Sequence, residues 1–575
     1  MTIFNTIILV IVAVIPVTML GYNLSNWILI LLGVIFLCKN RPKSINKSFI
    51  IMTLSLVICS IVSIIINGMK IDQIGSMSFY VIIPIYYLVF KAMSENIKNK
   101  DINITLIISA VVALGYIFYV GVYYGARVYG NLGYANSYAL LMLMFININC
   151  RYNTEKFSEI LNIIYIITIL FTGSRTTLIL LLINIVYIEF RRREMVLSET
   201  FIASLIVFTL IENIPIVGIT ILPVIFYLFL EFKGFKNKKI SWVIMLLIIA
   251  SFTIVSKINT FQRIENISIS NGSFQERLLT FEDVIRNLNF VGHGINTFEY
   301  KQFKIQSGFY DIKYIHNSIL HTSFELGIVG GIALIVIIVY GSIILLKKRK
   351  IDELAVLLIV FIHSLLDFDF AYSSIIILLL FVVICRNKNV EVKEDTKVRY
   401  KIILCCMIIL SCIIIFNESI LRTSYLAIMY EKFNISQIVT NINLFNDWRI
   451  YQSRSDSFIK DINGNELERK KLLIAKDALI NGLNANKENI MLKWNLAYVY
   501  EKMNDSRAKG LRLELVEDEK YNFESYKEAY KYSNEDKSVY FKLNEIFKNA
   551  YIGRSFRAKY IKNQIKDSLE ETLKM

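Results

Sequence analysis

Apolar stretches long enough to cross a bilayer as helices recur from the first residues to residue 416, and nothing else constrains this chain as strongly. A hydrocarbon core of roughly 30 Å takes about 20 apolar helical residues, fewer where protein surrounds the helix. Candidate spans are 3–20, 24–38, 49–67, 76–92, 102–122, 134–150, 157–172, 175–190, 199–212, 214–230, 240–256, 322–346, 353–367, 372–385 and 400–416. Pro215 and Pro223 interrupt the short pair 199–212 and 214–230, which reads equally as a re-entrant hairpin, so about 13–15 crossings are expected. The first run, Thr2–Leu20, lacks a basic leading segment and a small-x-small cleavage site, so it reads as a first membrane helix rather than a removed signal. The expected fold class is all-α and polytopic. Residues 1–398 form the membrane domain with a large external loop, 257–320. Residues 399–416 form a last span, and 417–575 an external helical domain. With 55% hydrophobic residues and a mean hydropathy of +0.51, a disordered chain, a collagen-like fibre and a disulfide scaffold are excluded.

Charge sets the orientation. From Asn417 onward 27 basic residues face 23 acidic ones, so most of the +16 excess lies in the apolar region. There it sits in alternate loops: Lys39–Lys47, Lys91–Lys100, Arg151/Lys156, Arg191–Arg193, Lys233–Lys239, Lys347–Lys350 and Arg386–Lys401. The intervening short turns hold only Lys70, Arg127 and Arg175. Loops rich in Lys and Arg stay in the cytoplasm. The loop 257–320 and the tail are therefore expected outside the cell membrane, and the positive balance reads as topology rather than nucleic-acid binding. The seven cysteines lie in or beside apolar runs, with neither Cys-x-x-Cys pairs nor Cys/His clusters of zinc spacing, so no disulfide, metal or other cofactor is expected.

Chemistry is expected on the outer side, where all four histidines fall: His293, His316, His321 and His363. Arginine forks bind phosphate with two donors at once, and a neutral histidine serves as a general base near pH 7. Arg127 precedes a glycine-punctuated turn, and Arg175 opens a span after Gly173-Ser174, where snorkelling is the alternative. Ser273-Phe274-Gln275-Glu276 reads as a helix cap, and Phe274, Leu278, Phe281, Ile285 and Leu288 as one apolar stripe. Arg277 borders that stripe and Arg286 points away from it; a salt bridge to a carboxylate is Arg277's alternative. His316 opens Asn317-Ser318 before a span. His321, five residues on, falls on another helical face, so only one of the two is expected to be the base. His363 and Asp367, at i and i+4, are expected to pair structurally. His293 sits between glycines in a turn.

Taken in order, these segments resemble the O-antigen ligase superfamily. The resembling stretches are Gly130-Asn131-Leu132-Gly133-Tyr134-Ala135-Asn136, Gly173-Ser174-Arg175-Thr176, Arg277 through Gly292-His293-Gly294, His316-Asn317-Ser318 with Glu325-Leu326-Gly327, and His363 through Asp369. The likeness covers roughly residues 100–385. Leu472–Met503 resembles a tetratricopeptide helix pair, with Ser525–Ala550 a weaker copy. The resemblance implies a GT-C-like transferase needing neither metal nor nucleotide sugar. Its donor would be an undecaprenyl-diphosphate-linked glycan and its acceptor a hydroxyl on a glycan, lipid or protein. It would be an O-antigen ligase, a polysaccharide polymerase or a protein O-oligosaccharyltransferase. His316 matches the family's catalytic histidine, and Arg127, Arg175 and Arg277 its diphosphate-binding arginines. His293, His363 and Asp367 stand as supporting residues. The single histidine of Ile315-His316-Asn317 departs from the His-x-His-Asn of many members. Two other classes stay open: a lipid-linked sugar transporter, which predicts charges at the bilayer midplane and inverted repeats, and a scaffold binding protein partners through its tail.

Overall fold

The computed structural model describes residues 2–213, 272–384 and 400–550, apart from 41, 43–44, 94–96, 153–156, 193–195, 462–466 and 535–536. The candidate spans 214–230 and 240–256, and the first part of the large loop, lie outside the described residues. Every regular element described is helical. The longer ones, in order, are α1 (Thr2–Val14), α2 (Tyr22–Lys39), α3 (Lys47–Ile66), α4 (Ser78–Met93), α5 (Asn99–Tyr116), α6 (Ala135–Tyr152), α7 (Phe157–Thr172), α8 (Arg175–Arg192) and α9 (Val196–Asn213). Beyond the gap come α10 (Gly272–Arg286), α11 (Ser318–Lys347), α12 (Ile351–Ser364), α13 (Ser373–Ile384) and α14 (Tyr400–Met429).

Among the described residues, six helices are long and apolar enough to cross a membrane: Tyr22–Lys39, Lys47–Ile66, Ile71–Met93, Asn99–Tyr123, Ser318–Lys347 and Ile403–Met429. Phe4–Val14, Ser158–Thr172, Val196–Phe208 and Ser373–Ile384 are apolar but shorter. The chain is thus a multi-pass membrane protein. Helices apolar on every side belong in the middle of such a bundle. Accordingly α4, α6 and α13 are buried almost throughout, with Tyr86, Phe90, Tyr138 and Phe145 fully enclosed. At the periphery, α3 exposes Ile51, Ile58 and Ile65, and α11 exposes Val329, Ile332 and Val339, a face suited to lipid rather than water.

The basic ends meet at one end of the bundle. Arg151 of α6 pairs with Glu353 of α12 (2.5 Å), Arg191 of α8 with Asp352 (3.4 Å), and Lys350 with Glu353 (3.7 Å). The opposite ends of these same helices carry the candidate site.

The expected last span, 400–416, continues without a break to Met429. The polar residues that follow it do not end the helix because the tail pairs with them. Asn417 Nδ2 donates to Asp447 (2.8 Å), and Glu418 accepts from Arg449 (2.6 Å), which also pairs with Asp447 (2.7 Å). Burial pushes the Asp447 carboxyl up, but the Arg449 guanidinium beside it wins and holds it below the usual range. The tail consists of α15 (Phe433–Val439), α16 (Trp448–Lys460), α17 (Leu467–Ala485), α18 (Ile490–Lys502), α19 (Arg507–Asp518), α20 (Phe523–Tyr530) and α21 (Lys537–Ala550). Helices α17 and α18 pack as a pair through Leu472, Ala475, Leu479, Leu492, Leu496 and Val499. The tail is seated on the membrane domain. Trp448 Nε1 donates to Asp72 (2.9 Å), Lys70 to Asn486 (3.0 Å), and Lys304 to Glu488 (2.8 Å).

Candidate functional site

The site is built where α11 begins and α12 ends. Asn317 caps α11, its Oδ1 accepting from Ile319 N and Leu320 N, while its Nδ2 donates to Leu365 O (3.0 Å). Ser318 Oγ donates to Asp367 O (3.1 Å) and accepts from Phe370 N (3.4 Å). His-Asn-Ser is therefore stitched to the turn Leu365–Phe370, and His316 is carried against Asp367.

His316 Nδ1 donates to Asp367 Oδ1 at 3.1 Å, because a carboxylate only accepts. Asp367 is 2% exposed and fully engaged. Its Oδ1 also accepts from Phe368 N (3.1 Å), and its Oδ2 from Asn136 Nδ2 (2.8 Å) and Tyr134 OH (3.2 Å). Four donors favour the ionised form. His316 Nε2 makes no hydrogen bond among the described residues, so its lone pair stays available to take a proton. The imidazole rests against Phe368, ring centroids 5.3 Å apart.

Two of the three candidate arginines converge here. Arg277 donates to Leu366 O (2.7 Å) and its Nη2 lies 3.9 Å from Asp367 Oδ2. Its Nε is buried without a hydrogen-bond partner among the described residues. Arg127 donates to Thr172 O (2.6 Å) and to Asn136 Oδ1 (2.9 Å), and Asn136 in turn donates to Asp367. Arg127, Asn136, Asp367 and His316 thus form one chain of hydrogen bonds. Arg175 opens α8, three residues from Thr172, whose carbonyl Arg127 holds. Arg286 is exposed and pairs with Glu282.

The expected pair of His363 with Asp367 does not form. Helix α12 ends at Ser364, so the four-residue spacing no longer places the two on one face. His363 is completely buried. Its Nδ1 donates to Asp369 Oδ2 (2.6 Å), and its Nε2 accepts from Thr177 Oγ1 (3.1 Å). Ser137 Oγ donates to the other oxygen of Asp369 (2.7 Å). This second dyad ties the starts of α6 and α8 to the end of α12. In helix α10 the apolar stripe divides: Phe281 and Leu288 pack inward, Leu278 and Ile285 are exposed, and Leu279, Thr280, Asp283 and Val284 form the buried face. The fold of 298–315 covers that side, where Asp283 accepts from Ser307 N (2.8 Å).

His293 does not join His316. Its ring stacks on Phe324 (centroids 4.3 Å apart), and its Nε2 donates to Asn287 O (2.7 Å). It sits in a backbone joint that explains both glycine motifs. Helix α11 breaks at Gly327 (φ +82°), which frees Phe324 O for His293 N (2.8 Å) and Glu325 O for Gly294 N (3.2 Å). A Cβ on Gly292 would lie 2.1 Å from Glu325 O, and one on Gly327 2.0 Å from Phe290 O, so only two glycines allow the chains to meet. His321 is held apart by Glu325 (3.3 Å). Of the site's members, Asp369, Tyr134 and Asn136 were read only as parts of motifs. The two carboxylates of Asp367-Phe368-Asp369, one partner for each histidine, were the signal that could have found the second dyad.

The fold and site define a helical membrane protein with a histidine–carboxylate pair and clustered arginines at the ends of its helices. The family described as O-antigen ligase matches residues 200–335, a segment that holds Arg277, His293 and His316 and ends eight residues past Gly327. That match supports a glycan-transferring membrane protein similar to this ligase and polymerase superfamily. No curated protein matches the chain.

Proposed function

We propose that this protein transfers a glycan from undecaprenyl diphosphate to an acceptor hydroxyl at the outer face of the cytoplasmic membrane. The observation that carries the reading is the His316–Asp367 pair with Arg277 beside it and Arg127 joined to it through Asn136. His316 Nε2 takes the proton of the acceptor hydroxyl as its oxygen attacks the anomeric carbon. The C–O bond to the diphosphate breaks on the opposite face, and the carbon inverts. Asp367 stabilises the imidazolium that results, and the arginines stabilise the charge growing on the leaving diphosphate. The buried Nε of Arg277, without a partner among the described residues, suits that anion. Arg175, at the start of α8, completes the diphosphate clamp in this reading. The helical tail, read as tetratricopeptide-like, lies on the same side. Its α17–α18 pair supports that reading, and it offers a surface to a protein partner.

Transfer from a defined undecaprenyl-diphosphate glycan by the full chain in nanodiscs tests the proposal. His316→Ala is expected to lose roughly 10²–10⁴-fold in rate while the protein still inserts. His321→Ala is expected to lose much less. Activity of His316→Ala within a few-fold of wild type overturns the assignment.

A further inference from the structure

Beside the site lies a cleft of about 880 Å³, at the upper end of the range for small-ligand pockets. One wall belongs to the membrane domain: the segment Val17–Asn23, the turn Tyr129–Gly133, and Lys313-Tyr314. The other belongs to the upper part of α14 and to α16 of the tail. Five aromatic side chains line it: Tyr22, Tyr129, Tyr314, Tyr425 and Trp448. Tyr129 and Tyr425 are exposed, and the Arg422 guanidinium, itself part of the lining, lies over the Tyr425 ring. Between them stand donors and acceptors of both signs, among them Asn296, Glu299, Gln452 and Lys460.

The cleft reaches the catalytic group through shared side chains. Tyr314 is two residues from His316 and packs on Phe368, which also carries the His316 ring. Tyr22 OH meets Tyr372 OH (3.2 Å), and Tyr134, a donor to Asp367, stacks over Tyr372. Gly133, at the cleft's edge, adjoins Tyr134.

We propose that this cleft binds the acceptor as an oligosaccharide, and that helix α16 of the tail helps determine which one. The ligand's chemistry follows from the lining. A pyranose ring shows an apolar C–H face, which an aromatic ring covers, and a rim of hydroxyls that both donate and accept. Mixed charges favour such a rim over a strongly anionic or purely apolar ligand. The identification of this ligand as acceptor rests on the glycan-transfer reading above. The cleft itself is a separate claim.

The test uses the full chain in nanodiscs and, as probe, oligosaccharides of two to five residues released by partial acid hydrolysis from the producing cells' envelope glycans, the class that would carry the acceptor hydroxyl. Binding is read by ligand-observed NMR. Wild type and His316→Ala should bind alike. Gln452→Trp, which fills the cleft, and Tyr425→Ala, which removes an exposed face, should each weaken binding at least tenfold. Both positions are at the surface of the cleft, and an unchanged melting temperature checks that the variants fold. No binding to wild type at millimolar probe overturns the inference. So does equal binding by all four proteins, or displacement of nothing by probe where a Ser/Thr-rich peptide binds the cleft instead. If His316→Ala still transfers while the cleft variants lose binding, the catalytic reading fails and the cleft stands. If His316→Ala is inactive and the cleft variants bind normally, the cleft inference alone fails.

Discussion

Changing Asp367 to Asn tests the dyad with almost no change of shape. One carboxylate oxygen becomes an NH₂ group, and the surroundings decide which. Oδ1 faces Phe368 N–H, a donor that cannot change its role, so the oxygen must stay there and the NH₂ group takes the place of Oδ2. It then meets Asn136 Nδ2 and Tyr134 OH, both donors in the wild type. The tyrosine hydroxyl can rotate. Asn136 relieves the conflict only by flipping its amide, and that turns its NH₂ toward Arg127, which now donates to its Oδ1. The substitution therefore weakens the link to Arg127 as well as removing the charge beside His316. The charge term can be sized. Unit charges about 4 Å apart at an effective dielectric of about 20 interact by about 4 kcal/mol. That favours the imidazolium formed during transfer, and each 1.36 kcal/mol is tenfold in rate. A loss of roughly 10³-fold in single-turnover transfer at saturating donor is expected, with normal yield of inserted protein. A loss smaller than tenfold would refute the reasoning, since the carboxylate would then contribute no more than a neutral acceptor.

Arg277→Lys, which keeps the charge and loses the planar fork, should lose most transfer activity without loss of protein from the membrane, and Arg175→Lys likewise; near-normal turnover in both would favour snorkelling. Gly327→Ala should lower the melting temperature sharply. A left-handed residue costs about 1–2 kcal/mol, and the displaced joint gives up backbone bonds of about 0.5–1.5 kcal/mol each; a shift under about 2 °C would contradict the geometry. Arg449→Met should loosen the tail. Unpairing a buried charge costs about 3–5 kcal/mol, so limited proteolysis should cleave between α14 and α16 far faster than in wild type. An unchanged digestion pattern would count against the lock.

Hydropathy and charge made the helical membrane class legible, because both report on each helix separately. Spacing within one helix was equally readable: Arg286 turns outward to Glu282. What escaped was every contact decided by where a helix stops. The pairing of His363 with Asp367 assumed that α12 runs on, and its end at Ser364 exchanged the partners of two histidines. The apolar stripe of α10 is split by its surroundings: the cluster formed with the fold of 298–315 takes Phe281 and Leu288 along with Leu279 and Val284, and leaves Leu278 and Ile285 exposed. The Gly292–Gly327 joint joins residues 35 positions apart through backbone atoms, and no side-chain pattern announces such a contact.

Helix α14 has a mechanical consequence. Its 30 residues rise about 45 Å at 1.5 Å each, against roughly 30 Å of hydrocarbon. Standing upright in a bilayer, the helix would carry about 15 Å of rigid rod past the hydrocarbon, and the far wall of the cleft is mounted on that end of it. A domain on a flexible leash would tolerate extra residues in its leash. Here each added residue would turn everything beyond it by about 100° and lift it by 1.5 Å. The rod works as a gauge: it fixes the height and the compass bearing at which the tail's wall of the cleft faces the wall formed by Val17–Asn23 and Tyr129–Gly133.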